Sequence, residues 1–218
     1  MTIPLHTVLF DLDGTLADTA PDLAAALNKV RAEEGLPPLP YETIRTEVSH
    51  GSVAITRIGF DINEADVEFE RLRKRLLDIY VDNLCVETKL FPGMDVVLEK
   101  IEASGMNWGV VTNKPAWLTD PLLDQMGLTQ RAACIISGDT TNNRKPHPEP
   151  LLLACNQAGS EAHQCLYVGD AVRDIEAGKN AGMQTLIAMF GYIGVNDKPE
   201  TWGADGMIHT PEEILKWI

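Results

Sequence analysis

Five short apolar runs, Thr7 to Phe10, Trp108 to Thr112, Cys134 to Ser137, Cys165 to Val168 and Thr185 to Met189, end in polar or glycine-rich turns, and each is followed by a helical pattern. A strand that is apolar at successive positions, rather than at alternate ones, has both faces covered, and a repeated β-then-α order supplies the covering helices. Crossovers between such strands are right-handed. The sequence therefore predicts an α/β core built on a doubly wound parallel sheet.

Between the first and second runs, from about Ala17 to Thr88, there is no convincing strand pattern. Asp22 to Glu33 predicts a helix broken by Gly35-Leu36-Pro37-Pro38, and Tyr41 to Val48 predicts a second. Glu64 to Leu84 predicts a third, with Val67, Leu72, Leu76, Ile79 and Tyr80 on its apolar face. An insert of roughly 70 residues is domain-sized. The expected division is a catalytic core of residues 1–16 and 89–218, interrupted by an all-helical cap domain of residues 17–88. The insert leaves after the first strand and returns near Phe91-Pro92-Gly93, so its two linkers lie close together, as a lid requires.

The 44% hydrophobic content of the 218 residues is enough for a sizeable core. A formal net charge of −14 repels nucleic acid phosphates and anionic headgroups, which argues against nucleic acid and membrane partners. The opening MTIPLHTVLFDLDG lacks a basic n-region and an uninterrupted apolar h-region, and nothing downstream approaches the roughly 20 apolar residues of a membrane span. The expectation is a cytoplasmic protein. Cys85, Cys134, Cys155 and Cys165 are far apart, without a CxxC pair, which fits reduced and mostly buried thiols. An acidic protein that binds an anion must concentrate its few cations locally, which draws attention to Lys145.

In an open parallel sheet the ligand sits beyond the carboxyl ends of the strands. Asp11, Thr112, Asp139 and Asp170 all lie at or just beyond such ends. In Phe10-Asp11-Leu12-Asp13-Gly14-Thr15, two aspartates at i and i+2 on a turn can address one point, supplying a nucleophile and a separate acid/base. A strand-end turn closed by two Asx side chains would read the same way. Val168-Gly169-Asp170-Ala171-Val172-Arg173-Asp174 brings two carboxylates that suit Mg²⁺ with Asp11, or else merely ends a strand and caps a helix. Thr112-Asn113-Lys114-Pro115 offers a hydroxyl, an amide and free backbone N–H groups to phosphate oxygens, or a plain helix cap. In Arg144-Lys145-Pro146-His147-Pro148-Glu149-Pro150 the prolines stiffen the loop and hold Lys145 in one direction. His147 reads as structural.

Taken together, DLDGT, VVTNKP, KPHPEP and GDAVRD resemble the four motifs of the haloacid dehalogenase superfamily phosphatases, in that family's order and over nearly the whole chain. The resemblance implies a Rossmann-like core and an aspartyl-phosphate route with Asp11 as nucleophile and Asp13 as acid/base. It implies phosphate contacts from Thr112, Asn113 and Lys145. It also implies Mg²⁺ held by Asp11, the Asp13 backbone carbonyl and Asp170, with Asp174 in support, and a cap that closes over the site. Within the superfamily the chain is similar to phosphoglycolate phosphatases and to N-acetylmuramic acid 6-phosphate phosphatases. The implied substrate is a small phosphorylated metabolite, 2-phosphoglycolate first, with N-acetylmuramic acid 6-phosphate or another sugar phosphate as the alternative. Ser49-His50-Gly51-Ser52 departs from the Asn-Gly common in phosphoglycolate phosphatases, so Arg45, His50, Gly51 and Arg57 become candidate substrate contacts in the cap, although each also suits a solvated helix. A dehalogenase has little need of Asp13 and Asp170, and a non-catalytic phosphate sensor would tolerate loss of the nucleophile or acid. A phosphomutase shares the core motifs and stays open. A monomer or weak homodimer is expected.

Overall fold

The first strand, β1 (Thr7–Phe10), has no solvent-facing side: Val8, Leu9 and Phe10 are all fully buried. The computed structural model describes residues 4–218. Val8 and Phe10 pack in one apolar cluster with Trp108, Val110, Leu166 and Val168, while Leu9 packs in another with Val111, Ile136, Leu151 and Tyr167. Neighbouring strand residues point to opposite faces, so the two clusters are the two sides of one sheet.

After β1 come a two-residue strand β2 (Ala17–Asp18) and helices α1 (Ala20–Glu33), α2 (Tyr41–Arg45), α3 (Gly51–Phe60) and α4 (Phe69–Val81). A second short strand, β3 (Lys89–Leu90), leads into α5 (Met94–Ala103), β4 (Asn107–Val111), α6 (Ala116–Gln125) and β5 (Cys134–Ile136). Then follow α7 (Glu149–Gln157), β6 (Cys165–Gly169), α8 (Val172–Ala181), β7 (Gln184–Ala188) and β8 (Gly206–Ile208). The main sheet has the order β5-β4-β1-β6-β7-β8, and every pairing in it is parallel. This is the doubly wound core that the apolar runs predict, with an additional edge strand, β8. The Gly-Met-Ile of β8 is too short to read as a strand from sequence.

The register places the site. Phe10 sits opposite both Val110 of β4 and Val168 of β6, so these three adjacent strands end level with one another. The chain leaves them at Asp11, Thr112 and Asp170. The Asp11 N–H still donates to the Val168 carbonyl at 2.9 Å, and the Thr112 N–H to the Ile136 carbonyl at 2.9 Å, so both residues remain tied to the sheet.

The helical insert differs from expectation in detail. The second helix stops at Arg45, and a 3₁₀ turn covers Val48–His50. Helix α3 was not expected there, because Gly51 and Gly59 weaken its helical signature. Gly59 packs closely against α1: a Cβ there would come within 2.5 Å of Leu27 Cδ1, so Leu27 would have to shift to admit one. The last helix starts at Phe69 rather than Glu64; Val67 precedes it and is 91% exposed, so it belongs to no apolar face. Antiparallel pairing of β2 with β3, Ala17 opposite Leu90 and Asp18 opposite Lys89, joins the start and the end of the insert where no strand was expected. Two residues per strand carry no periodicity to detect.

Both crossings of this junction are anchored by side chains. The Asp22 carboxylate, in the first turn of α1, accepts the N–H groups of Val86, Glu87 and Thr88 and the Thr88 hydroxyl at 2.7–3.1 Å. The Tyr192 hydroxyl accepts the Thr19 and Ala20 N–H groups at 2.7 and 2.9 Å and donates to Asp18 Oδ1 at 2.7 Å. A helix start leaves such N–H groups without partners, and here a phenol supplies one. All four cysteines are free. Among the described residues, no helix is long and apolar enough to cross a membrane.

Candidate active site

Three carboxylates, those of Asp11, Asp170 and Asp174, converge beyond β1 and β6 with ligand oxygens within 4.8 Å of one another, and all three residues are buried. Asp11 Oδ1 accepts the Leu12 N–H at 2.7 Å and lies 3.0 Å from Lys145 Nζ. The same ammonium lies 2.7 Å from Asp174 Oδ1 and donates to the Val111 carbonyl at 2.8 Å and the Tyr167 hydroxyl at 2.7 Å. Lys145 is thus a fully enclosed cation with a complete set of acceptors. Its loop is fixed by Asn113, which donates to the Lys145 carbonyl at 3.0 Å and accepts its N–H at 3.1 Å. Asp174 stands in the first turn of α8, where Oδ2 accepts the Ala171 N–H at 3.0 Å. That bond caps the helix as well as orienting the carboxylate.

Asp170 is held differently. Its Oδ2 accepts the Tyr192 N–H at 2.8 Å and the Ser49 hydroxyl at 2.7 Å, while Oδ1 is buried without a hydrogen-bond partner among the described residues. Burial, and then the charges of Asp11 and Asp174, push its pKa up to about 7. Asp11 is also raised, by burial first, with Lys145 pulling it back down. Arg173 supplies a second cation, with Nη2 4.0 Å from Asp11 Oδ2 and donating to the Ser49 carbonyl at 2.7 Å. Two cations against three crowded carboxylates, one of them with an unsatisfied oxygen, make an all-oxygen donor set that suits a hard divalent cation.

The approach of the two loops depends on Gly14. It has φ of +84°, and a Cβ there would meet Asp170 Oδ2 at 2.2 Å. No other residue would allow the turn after β1 to lie against the turn after β6.

Asp13 lies beside this cluster and points elsewhere. Its Oδ1 accepts the Thr19 hydroxyl at 2.6 Å and the Lys114 ammonium at 2.9 Å. Lys114 Nζ also donates to the Tyr80 hydroxyl of α4 at 2.9 Å. Burial opposes its charge, yet Asp13 and Tyr80 leave its pKa above the ordinary amine value. Thr112 is buried and its Oγ1 accepts the Lys114 N–H at 3.1 Å. Asp139, at the end of β5, caps α6 by accepting the Ala116 N–H at 2.8 Å.

These groups open into a cavity of about 650 Å³ between the sheet and the helical insert. Asp11, Asp13, Thr112 and Asn113 form its floor, and Ser49, His50, Gly51, Arg73, Leu77 and Tyr80 its roof. Of the residues singled out in the insert, His50 and Gly51 face this space. Arg45 and Arg57 do not. Arg45 donates to the Phe190 carbonyl at 3.0 Å and stacks over the Tyr192 ring, because it is drawn to the rim of the core. Arg57 pairs with Glu64 on the exposed surface. Reading the motifs passed over Ser49, Arg73, Lys114 and Arg173. Lys114 and Arg173 lie inside the motifs and had a signal to find, whereas Arg73 sits among Arg71, Lys74 and Arg75 and reads as one more solvated charge.

The same arrangement has relatives. A 41% identical chain named N-acetylmuramic acid 6-phosphate phosphatase, from Pseudomonas aeruginosa, aligns over 97% of this chain and 93% of its own length. A 44% identical chain named phosphoglycolate phosphatase, from Xanthomonas campestris pv. campestris, aligns over 96% and 94% respectively. The crystal structure of a predicted phosphoglycolate phosphatase from Haemophilus somnus 129PT superposes with a TM-score of 0.87 at 28% identity, covering 100% of this chain and 99% of that one. Residues 8–188 match the family described as haloacid dehalogenase-like hydrolase. With its four motifs gathered at one end of the sheet and relatives aligned over nearly its full length, the chain belongs to that family.

Proposed function

We propose that this protein is a Mg²⁺-dependent phosphomonoesterase that works through an aspartyl-phosphate on Asp11. The observation that carries the proposal is the placement of Asp11: a buried carboxylate beside Asp170 and Asp174, within reach of the enclosed Lys145 ammonium and the partly buried Arg173 guanidinium, at the floor of a cavity. Two orphaned buried atoms support it. Among the described residues Asp170 Oδ1 lacks a donor and Arg173 Nε lacks an acceptor, which leaves one atom suited to a cation and another suited to an anion.

In this reading the substrate's phosphate is received by the Thr112 hydroxyl and by backbone N–H groups beside it, with Lys145 and Arg173 balancing its charge. An Asp11 oxygen attacks phosphorus, the bond from phosphorus to the leaving oxygen breaks, and Asp13 gives that oxygen its proton. Water then attacks the phosphoryl group, its proton passes to Asp13, and the bond from Asp11 to phosphorus breaks to release inorganic phosphate. Bound Mg²⁺, held by Asp11, the Asp13 carbonyl and Asp170 with Asp174 in support, would neutralise charge on the transferring group. Asn113 acts through the Lys145 backbone, which both of its amide atoms engage. The helical insert, residues 17–88, serves as a cap that excludes water when closed. The Ser49 bonds to Asp170 and Arg173 belong to that closed position.

The substrate is a small phosphorylated metabolite, with 2-phosphoglycolate the simplest reading. A second reading, an amino-sugar phosphate such as N-acetylmuramic acid 6-phosphate, is favoured by the cavity of about 650 Å³, far more room than a two-carbon phosphate needs. Parallel assays of 2-phosphoglycolate, N-acetylmuramic acid 6-phosphate and hexose phosphates, with Mg²⁺ and with chelator, rank these readings by kcat/KM. Release of free phosphate separates hydrolysis from a mutase reaction. Asp11→Asn should abolish turnover in a folded protein; near wild-type hydrolysis of p-nitrophenyl phosphate by that variant would end the nucleophile assignment.

A further inference from the structure

Lys114 occupies a junction of three chain segments. Its backbone N–H donates to Thr112 Oγ1 at the end of β4, and its ammonium reaches Asp13 Oδ1 on the turn after β1. The same ammonium reaches the Tyr80 hydroxyl on α4 of the insert and lies 4.7 Å from the centre of that ring. The side chain is only 6% exposed. Enclosing an ammonium is costly unless its partners compensate, and a residue serving only to fill this space would be better apolar. Both donors to Asp13, Lys114 and Thr19, fall on Oδ1. Among the described residues no hydrogen-bond donor from the protein engages Oδ2, which is the oxygen free to exchange a proton with a substrate.

We propose that Lys114 is the positioning residue for Asp13, clamping Oδ1 so that Oδ2 addresses the leaving group, and that Tyr80 completes the clamp from the insert. The inference rests on the reading of Asp13 as the acid/base. Its added content is that the leaving-group proton is delivered by a group whose orientation depends on the insert: when α4 withdraws, the ammonium loses the phenol and Asp13 loses its rigid partner. Protonation of the leaving oxygen is then tied to closure of the cavity.

The test compares Lys114→Met, Tyr80→Phe, Lys114→Arg and Asp13→Asn on aryl phosphates of graded leaving-group acidity and on one alkyl phosphate, read as kcat/KM so that the first phosphoryl transfer is observed. General acid catalysis matters most for poor leaving groups. Lys114→Met should therefore lose roughly 10²-fold on the alkyl phosphate and only a few-fold on p-nitrophenyl phosphate, with the same steepened dependence as Asp13→Asn. Tyr80→Phe, which leaves both charges in place and guards against a folding defect, should lose roughly tenfold with the same selectivity, and Lys114→Arg should recover part of the alkyl rate. Adding Lys114→Met to Asp13→Asn should cost little more than Asp13→Asn alone. An equal loss on all leaving groups, or additive losses in the double variant, would overturn the positioning role while leaving Asp13 as the acid. An Asp13→Asn variant with normal alkyl-phosphate turnover would remove the acid assignment itself, and this proposal with it.

Discussion

Replacing Asp170 by Asn should make the metal-free protein more stable while disabling it. A carboxyl pKa displaced from 3.8 to about 7 means that the ionised form is disfavoured in the fold by about 4 kcal/mol, at about 1.4 kcal/mol per pH unit. An amide of the same shape still accepts the Tyr192 N–H and the Ser49 hydroxyl, and its NH₂ can donate to the crowded carboxylates where Oδ1 now has no partner. The direction with pH follows from linkage. Because the folded state holds the proton more tightly than the unfolded state, wild-type stability falls as pH rises from 3.8 to about 7. In chelator at pH 8, Asp170→Asn should therefore exceed wild type by about 2–4 kcal/mol, a shift of about 1 M in urea midpoint. At pH 5 the gap should shrink to less than half. Saturating Mg²⁺ at a hundred times its Kd should raise wild type by about 2.7 kcal/mol and leave the variant unmoved. Urea melts at two pH values, with and without Mg²⁺, read all of this. A variant no more stable than wild type at pH 8, or one still stabilised by Mg²⁺, would refute the picture of three crowded carboxylates awaiting a cation.

Three further outcomes are expected. Mg²⁺ affinity, measured by calorimetry, should weaken as pH falls below about 7, where binding must displace a proton from Asp170; affinity independent of pH between 5 and 8 would contradict this. Asp22→Ala removes the acceptor of three backbone N–H groups, that of Thr88 being fully enclosed, and should cost about 2–4 kcal/mol in urea denaturation. A loss under 0.5 kcal/mol would show that water replaces the carboxylate. Arg57→Ala should leave kcat/KM within about twofold of wild type, since an exposed surface pair is worth little and the residue lies outside the cavity; a tenfold loss in steady-state assays would return Arg57 to the site.

The parallel core was legible because its strands are covered on both sides and so read as unbroken apolar runs, each followed by a helix. The floor of the site was legible for a related reason: Asp11, Thr112 and Asp170 immediately follow β1, β4 and β6, so finding the strands located the residues. The insert was less legible. Gly59 sits where α3 packs closely against Leu27, a tertiary contact that runs against local propensity and hides α3. The β2–β3 pair and β8 are too short to show periodicity. Arg45 and Arg57 were reasonable candidates by charge, but side-chain direction decided their fate, with Arg45 drawn to the Phe190 carbonyl and Arg57 to Glu64. Arg73 had no distinguishing mark until the fold set it over the cavity. Sequence also could not show that Asn113 binds the Lys145 backbone through both amide atoms, because that bond spans 32 positions.

The strand order has one more consequence. Asp11 and Asp170 grow out of neighbouring strands at the middle of the sheet, whereas the roof is built from helices that the sheet does not contain. In the proposed reading the reacting carboxylates stand on central strands of the sheet, and the surface that meets the rest of the substrate stands on the helical insert. Exchanging roof residues that engage neither Asp13's clamp nor Asp170, such as His50 and Leu77, then redirects which alcohol is accepted while Asp11 and its cations stay in place, whereas Tyr80 and Ser49 bind the two functions together.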